Sequence, residues 1–271
     1  MAEPEALADE LEVVDLDVGG RASGVATVTI DRPEARNAMN EAVRDELKLA
    51  MAALDDADAV RTVVLTGSDE AASFVAGADV RDLQGRGPLD QRNHGERPRV
   101  YEAVAEAGVP VIAAINGHAL GGGCELALAC DVRIAREDAK LGQPEVTLGL
   151  MPGGGATQRL PRLVGPGQAR RLVLAGEVID ATEAARIGLV EEVHPPEAFE
   201  ERVYALAGRV ASNAPLSVEL ARRALDVAEE VPLSAGLRYE SELFHVLFDA
   251  DDKEEGIAAF LEGREPEWSG R

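Results

Sequence analysis

Val111-Ile112-Ala113-Ala114-Ile115-Asn116-Gly117-His118-Ala119-Leu120-Gly121-Gly122-Gly123-Cys124-Glu125-Leu126 joins a short apolar run to a glycine-rich turn and then to a helix-forming segment. Val111–Ile115 reads as a buried strand, Asn116–Gly123 as the turn, and Cys124–Cys130 as the helix it feeds. Strand, glycine turn and helix in that order place main-chain N–H donors and a helix dipole where an anion can sit. The glycines are contiguous, so this is not a dinucleotide fingerprint, and no Gly-Lys-Ser or Gly-Lys-Thr follows, so it is not a P-loop. Glu125 falls in the first helical turn, where its charge suits the dipole. His118 reads as a structural histidine.

Working outward, the same alternation recurs. Gly24–Ile30 and Thr62–Thr66 read as strands, Asn40–Leu54 as a helix capped by Asn40, and Asp131–Ala135 as a further strand. Ser73-Phe74-Val75-Ala76-Gly77-Ala78-Asp79-Val80 places small residues just before a helical pattern, where backbone can approach a ligand closely. Leu141-Gly142-Gln143-Pro144-Glu145 puts a second glutamate in an irregular segment after a strand, and Gly153-Gly154-Gly155 opens another helix. With 50 acidic residues in the chain, a pair of glutamates means nothing by itself. What matters is that Glu125 and Glu145 each lie beside a glycine-rich turn in otherwise apolar surroundings, where desolvation moves a carboxyl pKa.

Strand, loop and helix alternate to about residue 195, which predicts an α/β core over 1–195. From Pro196 the pattern is helical, with Ser212 and Ser217 as N-caps, giving a C-terminal helical region over 196–271. No fixed-period repeat and no long linker is visible. The acidic start MAEPEALADE reads as soft, and Gln84–Arg99 as a mobile surface segment.

The 271 residues carry a formal charge of −23 and 46% hydrophobic residues. The composition is that of a folded chain, and the charge argues against nucleic-acid partners. Cys124 and Cys130 suggest neither a disulfide framework nor a zinc site. The N-terminus has no signal-peptide pattern, and Val109–Ile115 is too short to span a bilayer, so a cytoplasmic location is expected.

The three glycine-rich stretches resemble the signatures of the enoyl-CoA hydratase/isomerase, or crotonase, superfamily. The resemblance runs from about Leu11 to Trp268. It includes Asp31-Arg32-Pro33-Glu34-Ala35-Arg36-Asn37-Ala38-Met39-Asn40, Gly176-Glu177-Val178-Ile179-Asp180-Ala181, Gly188-Leu189-Val190 and Asp252-Lys253-Glu254-Glu255-Gly256. It implies a spiral of ββα units followed by a helical region that builds trimers and often hexamers.

It also implies an acyl-CoA thioester substrate. The N–H groups of Ala78 and Gly122, with Gly121 beside them, would grip the thioester oxygen. Ala76, Gly77, Ala78, Asp79, Val80 and Arg81 would line the coenzyme path, Arg36 would meet its phosphates, and Gly153 would help hold the water. Glu125 and Glu145 would be the base and the acid of an enoyl-CoA hydratase, with the two roles open to sharing or exchange. No metal or redox cofactor is expected. Relatives often carry a lysine after the C-terminal Phe-x-Glu. Gly263 and Arg264 stand there instead, which makes Arg264 a candidate phosphate contact across a subunit boundary. Isomerisation, dehydration of a special 3-hydroxyacyl-CoA, and a non-catalytic scaffold role stay open as alternatives.

Only three lysines occur, Lys48, Lys140 and Lys253, beside many arginines. An acidic, lysine-poor surface points to a high-salt cytoplasm, where salt also screens repulsion between the protein and a polyphosphate ligand. The unfolding midpoint is therefore expected to rise from low to molar KCl; a flat or falling midpoint overturns the halophilic reading.

Overall fold

The computed structural model describes residues 4–93, 98–228 and 230–271. A short helix α1 (Pro4–Ala8) precedes β1 (Val14–Val18), β2 (Val25–Ile30), α2 (Glu41–Asp55), β3 (Thr62–Gly67) and β4 (Ser73–Val75). Helices α3 (Val80–Leu83), α4 (Pro88–Asn93) and α5 (Val100–Ala105) lead to β5 (Val111–Ile115), β6 (His118–Leu120) and α6 (Gly122–Ala129). Then come β7 (Val132–Arg136), β8 (Lys140–Gly142), α7 (Ala156–Ala175), β9 (Val178–Asp180), α8 (Ala181–Arg186) and β10 (Glu192–His194). Four helices finish the chain: α9 (Pro196–Ala211), α10 (Pro215–Ala228), α11 (Leu233–Val246) and α12 (Asp251–Glu262).

Two sheets result. The larger has the order β1-β2-β3-β5-β7-β10, and the smaller β4-β6-β8-β9. In the larger sheet only β1 pairs antiparallel, with β2; the rest is parallel. Successive chain segments alternate between the sheets: β3 then β4, β5 then β6, β7 then β8, each pair followed by helix. This is the spiral of ββα units expected from the resemblance.

The central strands β2, β3 and β5 are buried on both faces, which explains their apolar runs, while the edge strands β1 and β10 are partly exposed. One face joins the main core with Met39, Leu47, Met51, Leu126 and Leu141. The other packs Val25, Val64, Ile112 and Ile134 against Phe199, Val203 and Ala207 of α9. The helix just beyond residue 195 therefore covers the second face of the sheet. By contrast, α11 buries none of its residues and Phe260 of α12 is 85% exposed.

Several local expectations hold. The side chain of Asn40 accepts the Val43 N–H at 2.9 Å and caps α2. Cys124 and Cys130 are buried and unpaired.

Others need correction. Ser212 closes α9 rather than opening a helix, and Ser217 lies inside α10, which starts at Pro215. Proline at the first helical position needs no donor there, so it opens α10 without a serine cap. The N-terminal stretch is not soft throughout: α1 packs on β1 and buries Leu7, while residues 1–3 lie outside the described ones. The segment 84–99, read as a mobile surface segment, contains the short helix α4, and its residues 94–97 lie outside the described ones. The turn 116–123 conceals β6, three residues that read as loop by composition but are held by strands on both sides.

Candidate active site

β4, β6 and β8 run parallel, with Ser73 opposite His118, Val75 opposite Ala119, Ala119 opposite Leu141 and Leu120 opposite Gly142. Their carboxyl ends therefore emerge together, and ligands of parallel sheets collect beyond such ends. β4 delivers Ala76-Gly77-Ala78, β6 delivers Gly121-Gly122 and then α6, and β8 delivers Gln143-Pro144-Glu145.

Ala78 and Gly122 present N–H groups side by side. Met39 bridges Ala78 by donating to the Gly77 carbonyl and accepting from the Asp79 N–H, which turns the Ala78 N–H to the opposite side. Gly122 is the first residue of α6, so its N–H has no partner within the helix. Neither N–H has an acceptor among the described residues. A Cβ placed on Gly122 would lie 3.6 Å from the Ala78 nitrogen. The close approach depends on Gly123, where a Cβ would come within 2.0 Å of the Val75 carbonyl oxygen. Only glycine lets α6 sit so tightly on β4.

Glu125 is buried at 3% exposure and faces the turn before α7. Its Oε1 accepts the N–H groups of Gly154 at 2.6 Å and Ala156 at 3.1 Å. Burial pushes its pKa up; the backbone donors of Ala156, Gly154 and Gly155 and the charge of Arg99 pull the other way. Glu145 lies in a 3-10 turn and is half-buried. Burial pushes its pKa up to about 7, against a backbone hydrogen bond, and the Glu125 charge adds to the rise. A Cβ on Gly121 would stand 3.1 Å from Glu145 Oε1, which places this carboxyl beside the start of α6. With its amide nitrogen facing Glu145, buried Gln143 reaches the two carboxylate oxygens at 2.9 and 3.3 Å.

Both glutamates line one cavity of about 1140 Å³ with Ala76, Gly77, Ala78, Val80, Gly121, Gly122 and Gly153. Three expected binding residues, Arg36, Asp79 and Arg81, are not part of this lining. Arg36 is exposed, with its carbonyl accepting the Ala76 N–H at 3.2 Å. Asp79 caps α3 and pairs with Arg32 at 2.8 Å, which holds its carboxyl below the usual range. Gly153 engages through its carbonyl, which accepts Arg99 Nη1 at 2.7 Å. Arg264 is ion-paired within its own chain to Glu255 and Glu262.

Tyr101, Arg99 and Gln143 were not singled out in the sequence. The Tyr101 hydroxyl would lie 2.9 Å from a Cβ on Gly122, and its ring packs where a Cβ on Gly154 would fall. Burial, then the Glu125 charge, pushes its pKa up. Gln143 stands two residues before Glu145, a spacing that could have drawn attention to it. Nothing local marks Arg99 or Tyr101. The cavity also carries Arg44, Lys48 and Arg86 beside Glu41 and Asp45, so cationic and acidic side chains balance there in a chain of net charge −23. Among the described residues no three His, Cys, Asp or Glu side chains are grouped as metal ligands, and no helix is long and apolar enough to cross a membrane.

The sequence matches the family described as enoyl-CoA hydratase/isomerase over residues 20–271. It is 45% identical over 241 residues to crotonyl-CoA hydratase of Syntrophomonas wolfei, covering 89% of this chain and 92% of the relative. It is 41% identical over 259 residues to short-chain-enoyl-CoA hydratase of Clostridium acetobutylicum, covering 95% and 98%. The crystal structure of enoyl-CoA hydratase from Bacillus anthracis superimposes with a TM-score of 0.90 at 38% identity, covering 96% of this chain and 100% of that one.

A carboxyl whose folded pKa is raised binds its proton more tightly than in the unfolded chain. Glu145 therefore opposes folding increasingly as pH rises from its ordinary value of 4.5 through about 7. Glu145→Gln removes that penalty, so the variant should gain stability relative to the parent as pH increases across this window. Paired denaturant melts at several pH values measure it; a difference that stays flat from pH 5 to 8 contradicts the raised value.

Proposed function

The chain belongs to the enoyl-CoA hydratase/isomerase family and is an enoyl-CoA hydratase, and we propose that Glu125, Glu145 and the N–H groups of Ala78 and Gly122 carry the reaction. One observation supports this assignment above the others: two unpartnered N–H groups stand side by side, flanked by two carboxyls in a shared cavity.

The substrate is a trans-2-enoyl-CoA thioester. Its carbonyl oxygen accepts from Ala78 and Gly122. Glu125, ionised, takes a proton from water while the water oxygen bonds to C3. The C2–C3 π pair shifts toward the carbonyl, and the oxygen gains enolate charge. Glu145, protonated, gives its proton to C2 as the enolate collapses, and the product is the 3-hydroxyacyl thioester. The proton taken up by Glu125 balances the one released by Glu145.

Each element has an energetic reason. Fixed N–H donors stabilise developing charge without reorganising, and one such donor is worth about 3–4 kcal/mol of barrier in comparable sites. A carboxyl with a pKa of about 7 is part protonated at neutral pH, as an acid must be. The N–H donors on Glu125 favour its ionised form, as a base requires. The two carboxyls titrate as a coupled pair. Hydration changes no net oxidation state, so the chemistry calls for no redox cofactor, and the N–H pair supplies the polarisation a Lewis acid would give. Arg44, Lys48 and Arg86 can meet the phosphates of a ligand at the cavity, with Asp45 paired to Lys48 and Glu41 beside them. Two free, buried thiols suit a cytoplasmic setting.

Glu125→Gln and Glu145→Gln should each lower kcat for crotonyl-CoA hydration by roughly 10²–10⁴-fold while each variant still folds with a cooperative melting transition. The readout is loss of enoyl thioester absorbance. Near-parental rates in either variant refute the assignment.

The C-terminal helices support a trimer or a dimer of trimers as the working form. Leu233, Leu237, Phe244, Phe248 and Phe260 are large, apolar and exposed in the single chain. Apolar area of that extent on a soluble chain marks an interaction surface. Sedimentation equilibrium should give a trimer or hexamer mass, and a monomer at micromolar concentration rules this out.

A further inference from the structure

Arg99 stands at the start of α5 and reaches across to the turn before α7. Its Nε and Nη2 meet Glu102 Oε1 at 3.2 and 3.0 Å, and Glu102 Oε2 accepts the Arg99 N–H at 3.0 Å. Glu102 is buried, so the guanidinium is anchored from the α5 side. Its Nη1 donates to the Gly153 carbonyl at 2.7 Å. The Gly153 carbonyl and the Gly154 N–H belong to one peptide unit, and that N–H donates to Glu125 Oε1 at 2.6 Å. A planar peptide transmits orientation rigidly from one end to the other. A cation on its oxygen also polarises its N–H, which strengthens the bond to an anion on the far side.

We propose that Arg99 is a positioning residue for hydration: through the single peptide unit Gly153–Gly154 it orients the Glu125 carboxylate and strengthens the N–H that grips it. The inference rests on the hydratase reading only for its kinetic consequence, since the bonded chain is present whatever the reaction.

The surroundings leave Arg99 as the distinctive charge. α6 packs against α5, α7, β4 and β6. α5 and its approach bring Tyr101 and the ion pair of Arg99 with Glu102. The turn after β8 brings Glu145, the helix itself Cys124, and β6 brings His118, while β4 brings no titratable group. From α7, Arg159 Nη1 donates to the Gly154 carbonyl at 3.3 Å, on the next peptide unit. Arg99 is the side-chain charge that opposes the effect of burial on Glu125. Without it the Glu125 pKa rises. A base that must be ionised then loses activity at a higher pH, so the acid limb of kcat/KM moves up.

The test compares the full-length protein with Arg99→Met and Arg99→Lys in two measurements. The first is the Glu125 carboxylate titration by isotope-edited infrared spectroscopy, identified by its loss in Glu125→Gln. The second is kcat, KM and the pH profile with crotonyl-CoA. Arg99→Met should titrate at higher pH, lose kcat by roughly ten- to a hundredfold with little change in KM, and shift its acid limb upward. Arg99→Lys keeps the charge and should keep the limb near its parental position. An unmoved Glu125 titration in Arg99→Met overturns the proposal, as does lost kcat with an unmoved limb, which signals a merely structural role. If the parent does not hydrate crotonyl-CoA, the hydratase reading fails and the infrared titration alone decides the Arg99 relay.

Discussion

The parallel register of three short strands, β4, β6 and β8, is the constraint on which the rest depends. Each contributes only three residues, yet their pairing makes three remote segments leave the sheet at one end. Ala78, Gly122 and Glu145 thereby meet, although 67 residues separate the first from the last (145 − 78). The larger sheet supports this by being buried on both faces, which fixes where each successive strand pair enters the smaller one. Close packing of α6 on β4, possible because position 123 has no Cβ, completes the approach. A sheet edge of fixed geometry holds backbone donors more rigidly than a loop could.

Electrostatics at the site run against those of the whole chain. A net charge of −23 spreads over a solvated surface where single ion pairs contribute little. Inside the cavity the dielectric is lower and the few charges present act strongly. Glu125 and Glu145 are among the carboxyls brought there, and their environments differ. Glu125 is held by backbone N–H groups and lies near a guanidinium, whereas Glu145 keeps a neighbour of like charge and an amide. Unequal environments of this kind are what the proposed division into acid and base requires. The carboxylate of Glu102 belongs to the same design at one remove, since it fixes the guanidinium that fixes the turn.

The C-terminal helices divide into two kinds. α9 is part of the fold, covering one face of the larger sheet with Phe199, Val203 and Ala207. α11 and α12 carry large apolar side chains, Leu237, Phe244 and Phe260 among them, that no described residue covers. A sequence pattern alone does not separate these cases, because an amphipathic helix looks the same whether its partner is its own sheet or another molecule.

Local patterning determined much of this protein. Short apolar runs bounded by turn residues located β3 and β5, which are buried on both faces and so need not alternate, and β2 and β7 were read beside them, whereas the edge strands β1 and β10 were not read as strands. Glycine clusters beside Glu125 and Glu145 marked both carboxyls, since backbone can approach a ligand only where side chains are absent. The sequence carried no fixed period for the spiral, as the units begin at Thr62, Val111 and Val132 and hold helices of unequal length. β6 was legible only as a turn, because a three-residue strand is made by its neighbours and not by its own propensity. Tyr101, Arg99 and the donors Gly154 and Ala156 entered the site through tertiary structure alone. Their roles depend on distances between segments some thirty to fifty residues apart, and no local pattern encodes a distance across space.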